Sequence, residues 1–214
     1  MPVPNPTPIL RFIHVDNLHI YLQRGGIHAP NHTPGDGLIY RTNHDVKVQA
    51  KRHVARILCG PKGVVHDYVP FYFGYLSPMM LQLKTGQVPG YNEGQEALAY
   101  LVSTAQAVQA SEAGFVFSDG HGIAAFTKWF DDLADLDQVD WDMVYERYWA
   151  DTVDDMDRQR RKQAEFLVHR FCDWSLIQEI VVINDQVKVQ VEAILGEFPV
   201  ARRRLATVRD WYYR

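Results

Sequence analysis

Glu165 stands at the head of an apolar run, Glu165-Phe166-Leu167-Val168, a few residues after a cationic stretch, Arg158-Gln159-Arg160-Arg161-Lys162. Runs rich in β-branched and aromatic residues read as buried strand. A carboxylate entering such a strand is costly unless it is ion-paired, hydrogen-bonded or used in chemistry. Two readings follow: a charged residue on a strand's rim, or a catalytic glutamate beside a cationic groove. Other residues with chemical capacity lie far off in sequence. They are His14 and Asn17 in His14-Val15-Asp16-Asn17, the bases Lys51, Arg52 and Arg56, and the ring pair Phe71-Tyr72.

The elements that must position these groups follow from pattern. Residues 9–13 read as a short first strand ending at His14, with a helix over 18–24 capped by Asp16 or Asn17 and stopped by Gly25-Gly26. Residues 28–46 are loop-like, with two prolines and two glycines. A basic segment covers 46–58, a turn 60–63 and an extended run 64–73. A short helix or turn starts at Ser77-Pro78, and 83–94 reads as a loop too polar for the core. Residues 95–107 suit helix or strand, 115–117 a strand, 118–122 a turn, and 123–133 a helical period. The late strands fall at 165–168 and 176–183, followed by an amphipathic helix over 187–195 stopped by Gly196. Strands and helices are interspersed without a regular βαβ rhythm, so the expected fold class is α+β, a single domain over 1–214 with a proline-rich lead at 1–8.

The totals agree with a globular protein: 214 residues, 47% hydrophobic and 22% charged. The lead lacks the basic and apolar regions of a signal peptide, and no apolar run approaches the ~18 residues of a membrane span, so a cytoplasmic location without membrane contact is the expectation. Cys59 and Cys172 give neither a metal spacing nor a disulfide framework. Histidines 14, 28, 32 and 44 lack metal-site regularity, and no metal is expected. The net charge of −4 is unevenly spread: residues 131–157 hold eleven acids and one base, leaving +6 for the rest, with basic clusters at 47–56, 158–162 and 202–209. A basic groove with an acidic back is one outcome; charge runs solvating separate faces are the other. Tyr148 and Trp149, in the acidic segment, either anchor a loop or offer stacking planes to bases. There is no GxGxxG, P-loop or GxSxG motif, which disfavours dinucleotide-fold, NTPase and α/β-hydrolase readings.

Three blocks occur in order: His14-Val15-Asp16-Asn17, then Val69-Pro70-Phe71-Tyr72-Phe73 with Ser77-Pro78-Met79, then Gln163-Ala164-Glu165-Phe166-Leu167-Val168, and the Lys51-Arg52…Arg56 segment lies between the first two. Together they resemble the DarT family of DNA ADP-ribosyltransferase toxins, over roughly residues 12–183. The resemblance implies an ADP-ribosyltransferase fold, NAD+ as donor, a thymine base in single-stranded DNA as acceptor, and a partner antitoxin of the DarG type whose macrodomain removes the modification. It makes Glu165 the catalytic glutamate and places His14 and Asn17 at the donor. It also offers Arg52, with Arg56 as a rival, as the arginine that holds charge developing on the base. Where family members often carry Asn-Pro-Arg, this chain has Gly74-Tyr75-Leu76, so no arginine role is expected there.

Breaking the nicotinamide–ribose bond leaves an oxocarbenium-like centre. A carboxylate hydrogen-bonded to the ribose 2′-hydroxyl favours that charge most in the transition state. Phe71 and Tyr72 are then expected against nicotinamide, with core packing as the alternative. Arg158, Arg160, Arg161 and Lys162 are expected to read DNA phosphates, and Tyr148 and Trp149 to stack on splayed bases. The remaining possibilities are another acceptor (protein, RNA or water) or a non-catalytic nucleic-acid-binding module.

Overall fold

Residues 98–104, Leu-Ala-Tyr-Leu-Val-Ser-Thr, are buried at every position, which a strand achieves only with packing on both faces. A computed structural model of the chain, which describes residues 1–199 and 206–214, places this strand inside an eight-stranded sheet. The chain opens with β1 (Pro8–His14), α1 (Leu18–Gln23), β2 (Gly26–His28), α2 (Val46–Val54), β3 (Arg56–Ile57), β4 (Gly63–Val64) and β5 (Tyr68–Tyr72). Then come α3 (Pro78–Lys84), β6 (Leu98–Thr104), α4 (Ala105–Ala110), β7 (Phe115–Ser118), β8 (Trp129–Phe130), α5 (Trp141–Tyr145) and α6 (Arg158–Lys162). The last elements are β9 (Glu165–His169), β10 (Phe171–Asp173), β11 (Glu179–Val182), α7 (Asp185–Glu197) and β12 (Ala206–Val208).

The sheet order is β12-β11-β6-β1-β5-β9-β7-β8, antiparallel throughout except for the parallel β11–β12 pair. Two ribbons, β2 with β10 and β3 with β4, flank it. This is the α+β arrangement expected: one domain with a mixed central sheet and flanking helices. The period of two sorts side chains between cores. On β6, Ala99 and Leu101 enter the larger core, whereas Leu98, Tyr100 and Val102 enter a second one with Met80, Leu83 and Tyr212. On β9, Phe166 and Val168 enter the larger core and Leu167 a third, small one, so Glu165 shares the face of Leu167.

The sheet is nearly split in its middle. β1 pairs with β6 along all seven residues, but with β5 at one position only, Leu10 opposite Tyr72. A cavity of about 490 Å³ opens at this split, its wall built from both strands, with Arg11 and Phe12 on one side and Pro70 and Tyr72 on the other.

Helix ends follow their capping residues. Asp45 accepts from the N–H of Lys47 and Val48 to start α2, Ser77 with Pro78 behind it starts α3, and Asn184 starts α7. Three expectations are corrected. Residues 123–133 form no α-helix, because hydrogen bonds from Thr127 Oγ1 to the His121 carbonyl and from Lys128 N–H to Asp119 fold 121–128 into a turn before β8. Residues 83–94 do reach the core: Leu83, Val88 and Tyr91 are buried in the second cluster. Gly196 does not end α7, which runs one residue further. The ambiguous 95–107 stretch resolves into β6 followed directly by α4. Of the basic tail cluster, residues 202–204 lie outside the described residues. Among the described residues no helix is long and apolar enough to cross a membrane.

Candidate active site

Glu165 is 2% exposed, far from a rim position. β9 delivers it opposite Tyr72 of β5, on the side of the sheet where the cavity opens. A strand's first residue still owes backbone hydrogen bonds, and the Ser118 hydroxyl accepts from the Glu165 N–H at 3.1 Å. The carboxylate faces a guanidinium fork. Arg52 Nη1 donates to Oε1 at 3.0 Å and Nη2 to Oε2 at 2.7 Å, with the arginine itself 7% exposed. Two parallel charge-assisted bonds of this kind fix orientation as well as energy. A third donor, the Gly122 N–H, reaches Oε1 at 2.9 Å. A Cβ at Gly122 would sit 3.0 Å from that oxygen and 3.1 Å from the Trp129 ring, so only glycine allows this approach undisturbed.

Burial works against the Glu165 carboxylate, but Arg52, His121 and the Gly122 N–H outweigh it and hold its pKa below the usual carboxylate range. Burial also raises the Tyr72 phenol and lowers the His121 imidazole, leaving both neutral at pH 7. The folded carboxylate therefore gives up its charge at a lower pH than the unfolded one. The stability from this pair is fully present above the unfolded value near 4.5 and drains away as the pH falls through the lower folded value. Thermal melts of the native chain are thus expected to fall more steeply below pH 4.5 than those of Glu165→Gln, which has no charge to lose; parallel slopes would contradict the pairing.

The two candidate arginines part company. Four residues apart, they would share a helix face, but α2 ends at Val54 and Arg56 begins β3, exposed and outside the cavity wall. Arg56→Ala is expected to change stability by no more than ~0.5 kcal/mol and turnover by less than twofold, measured by melting and by nicotinamide release.

Among the expected donor contacts, Asn17 lines the cavity and clamps the 28–46 loop, exchanging two bonds of 2.7 and 2.8 Å with the Arg41 backbone. Arg41 in turn bridges Asp16 and Glu93. His14 is buried with Nε2 at 3.0 Å from Glu93 and is not part of the cavity wall. Tyr72 faces the cavity beside Glu165. The alternation of β5 turns the Phe71 side chain into the larger core, opposite Phe166, so it packs there and only its edge touches the wall.

The cationic stretch, expected to read DNA phosphates, finds partners within the free chain. Arg160 binds Asp157 and Asp119, and Arg161 binds Asp140 and Asp155. Lys162 is buried, its ammonium donating to the carbonyls of Val144 and Glu146 at 2.7 Å each. Arg158 caps the carbonyls of Ala150 and Tyr148. These acids and carbonyls belong mostly to the acidic segment, so the stretch is held against that segment and pairs with three of its eleven acids, Asp140, Asp155 and Asp157. Trp149 is likewise an anchor, its indole donating to the Tyr213 hydroxyl at 2.7 Å, while Tyr148 is 78% exposed.

Arg160 braces the turn that carries Gly122. It packs against Gly120, its carbonyl accepts from the His121 N–H, and its guanidinium holds Asp119. Arg160→Ala is expected to cost about 1–3 kcal/mol of stability and to slow turnover, while leaving the salt slope of single-strand binding unchanged. A residue in direct phosphate contact would instead lower that slope by about one.

Sequence reasoning does not single out Arg11, His121 or Gly122. One signal was available for the first: Arg11 interrupts an otherwise apolar strand, Ile9-Leu10-Arg11-Phe12-Ile13. Among the described residues no group of three His, Cys, Asp or Glu side chains could hold a metal ion.

With this geometry in place, the comparisons with known proteins are specific. Residues 10–213 match the family model described as DarT, ssDNA thymidine ADP-ribosyltransferase. A DNA ADP-ribosyl transferase of Thermus sp. (strain 2.9) is 41% identical over 211 residues, 98% of each chain. The structure of Thermus sp. 2.9 DarT in complex with ADP-ribosylated single-stranded DNA superposes with a TM-score of 0.93 at 40% identity, covering 100% of this chain and 99% of that one. The structure of the same organism's DarT in complex with NAD+ gives 0.88 at 40% identity, covering 99% of this chain and 100% of that one.

Proposed function

Because the chain belongs to the DarT family of single-stranded DNA thymidine ADP-ribosyltransferases, we propose that its Arg52–Glu165 pair is the centre at which ADP-ribose passes from NAD+ to a thymine base. The protein is an NAD+-dependent DNA ADP-ribosyltransferase that releases nicotinamide. The observation that carries the assignment of the centre is the buried carboxylate on the wall of a dinucleotide-sized cavity, kept ionised and aimed by three donors.

Nicotinamide leaves with the electron pair of its bond to the ribose, and the carboxylate of Glu165 stabilises the sugar cation through the 2′-hydroxyl. The thymine ring nitrogen forms the new bond to that carbon and gives up its proton, with Glu165 as the acceptor. Both Nη atoms of Arg52 are committed to Glu165 in the free protein, so its first task is to hold the carboxylate charged and oriented. Asn17 and Tyr72 serve the donor from the wall. Exposed Tyr148 is the ring available for stacking on a base of the single strand.

A partner is part of the proposal. A thymine carrying ADP-ribose on a pairing nitrogen blocks replication in the cell that makes this enzyme. A macrodomain antitoxin of the DarG type, which removes the group, answers that chemistry and makes this chain the toxin of a toxin–antitoxin pair acting in the cytoplasm. The acceptor assignment is tested by incubating the protein with labelled NAD+ and separate DNA, RNA and protein acceptors. Label is expected on single-stranded DNA alone; equal labelling of RNA or protein would overturn it.

A further inference from the structure

The binding of a dinucleotide without a glycine-rich phosphate loop needs a counter-charge for two phosphates, and the cavity wall holds three arginines. Arg52 is consumed by Glu165, and Arg41 by Asp16 and Glu93. Arg11 is different. Among the described residues it has no carboxylate partner, and its only hydrogen bond runs from Nη1 to the Pro70 carbonyl at 2.9 Å. Its Nε is shut off from solvent with no acceptor at all. A guanidinium held this way, in the middle strand of the sheet, is expensive unless an anion completes it.

Its position suits an anion in the middle of a long ligand. Arg11 points across the split between β1 and β5, bonding the β5 backbone two residues from the single rung that joins the strands. Burial, and then Arg11, depress the His44 imidazole. Burial raises the phenols of Tyr40 and Tyr72, and Arg11 pulls both back. Arg11 shares the cavity wall with Tyr21 and Tyr40, which stack 4.8 Å apart, and with Tyr72 beside Glu165. The same cavity wall carries the carboxylate that handles the ribose next to nicotinamide and the stacked pair of Tyr21 and Tyr40.

We propose that Arg11 binds the diphosphate of the donor, supplying from a β-strand the counter-charge that other dinucleotide sites take from a glycine-rich loop. This rests on the reading of the cavity as an NAD+ site. The simpler role, a strut that holds the split sheet through Pro70, makes no distinction between ligands with and without phosphate.

The test is calorimetric titration of the native chain, Arg11→Gln and Arg11→Lys with adenosine, ADP and NAD+, each variant first checked for a native melting transition. The native chain is expected to bind ADP well above adenosine. In Arg11→Gln, ADP and NAD+ should weaken by about 10–100-fold, the worth of a charge-assisted contact, with adenosine unchanged within twofold and KM for NAD+ rising more than kcat falls. Arg11→Lys should recover part of the loss. Equal affinity of the native chain for ADP and adenosine would overturn the proposal, which keeps it testable even if Arg11→Gln does not fold. So would undiminished ADP binding by a folded Arg11→Gln. Nicotinamide release by the native chain is read separately: its absence would count against the enzymatic reading, while the ADP-against-adenosine arms would still decide the role of Arg11.

Discussion

Glu165→Gln is expected to lower transfer of ADP-ribose by roughly 10²–10³-fold, about 3–4 kcal/mol of transition-state stabilisation. Glutamine keeps the shape and one oxygen for the Arg52 fork and the Gly122 N–H, so the cavity wall is preserved and NAD+ is expected to bind within a few-fold of the native affinity. On the proposed mechanism, what disappears is the negative charge that steadies the sugar cation and the lone pair that takes the thymine proton. The loss should therefore fall on kcat rather than KM. The fold pays as well. Leaving a buried guanidinium without its counter-ion typically costs about 3–5 kcal/mol, and the amide oxygen softens this, so the melting temperature is expected to fall by about 2–4 °C for each kcal/mol lost. Binding and melting measured on the same preparation separate the chemical loss from the structural one.

Arg52 gives the second large effect, and two replacements separate its contributions. Arg52→Ala strands a carboxylate that is 2% exposed. Its pKa must then rise, since burial is the largest influence on it and the opposing guanidinium is gone. Turnover is expected to fall at least 10²-fold at pH 7 and to recover partly at higher pH, as the stranded acid ionises. Arg52→Lys retains the charge but lacks a planar fork. The carboxylate should stay ionised yet be free to rotate, giving a smaller loss with a native-like pH profile. Nicotinamide release followed from pH 5 to pH 9 distinguishes the two, and identical profiles for the lysine and alanine variants would show that charge alone is not what Arg52 provides.

The proposed centre was legible because Glu165 is a local anomaly, one acid opening an apolar strand, and the strand is where that pattern puts it. Its partner was legible only as a choice between Arg52 and Arg56. Helical spacing gives both the same face, and the decision turns on α2 stopping at Val54, where Ala55 adopts an extended conformation. The Gly120-to-Gly122 turn was not legible, because its part in the site depends on a backbone N–H meeting a carboxylate 43 residues away. The partners of the cationic stretch were hidden for a related reason. Charge counted along a sequence does not reveal that Arg161 meets Asp140, 21 residues back, or that Lys162 donates to the carbonyls of Val144, in α5, and Glu146, just after it. The two opposite charge blocks, read as a groove and its back, pack against each other through these pairs. Tyr72 and Phe71 show the same limit at the finest scale: neighbours with similar rings, separated by the alternation of a strand into wall and core.

The most direct measurement is the intact mass of two oligonucleotides that differ only in having thymine or cytosine at one position, after incubation with NAD+ and either the native chain or Glu165→Gln. A gain of one ADP-ribose is expected on the thymine strand with the native chain, none on the cytosine strand, and none on either with the folded variant. Modification of the thymine strand by Glu165→Gln at the native rate would contradict it.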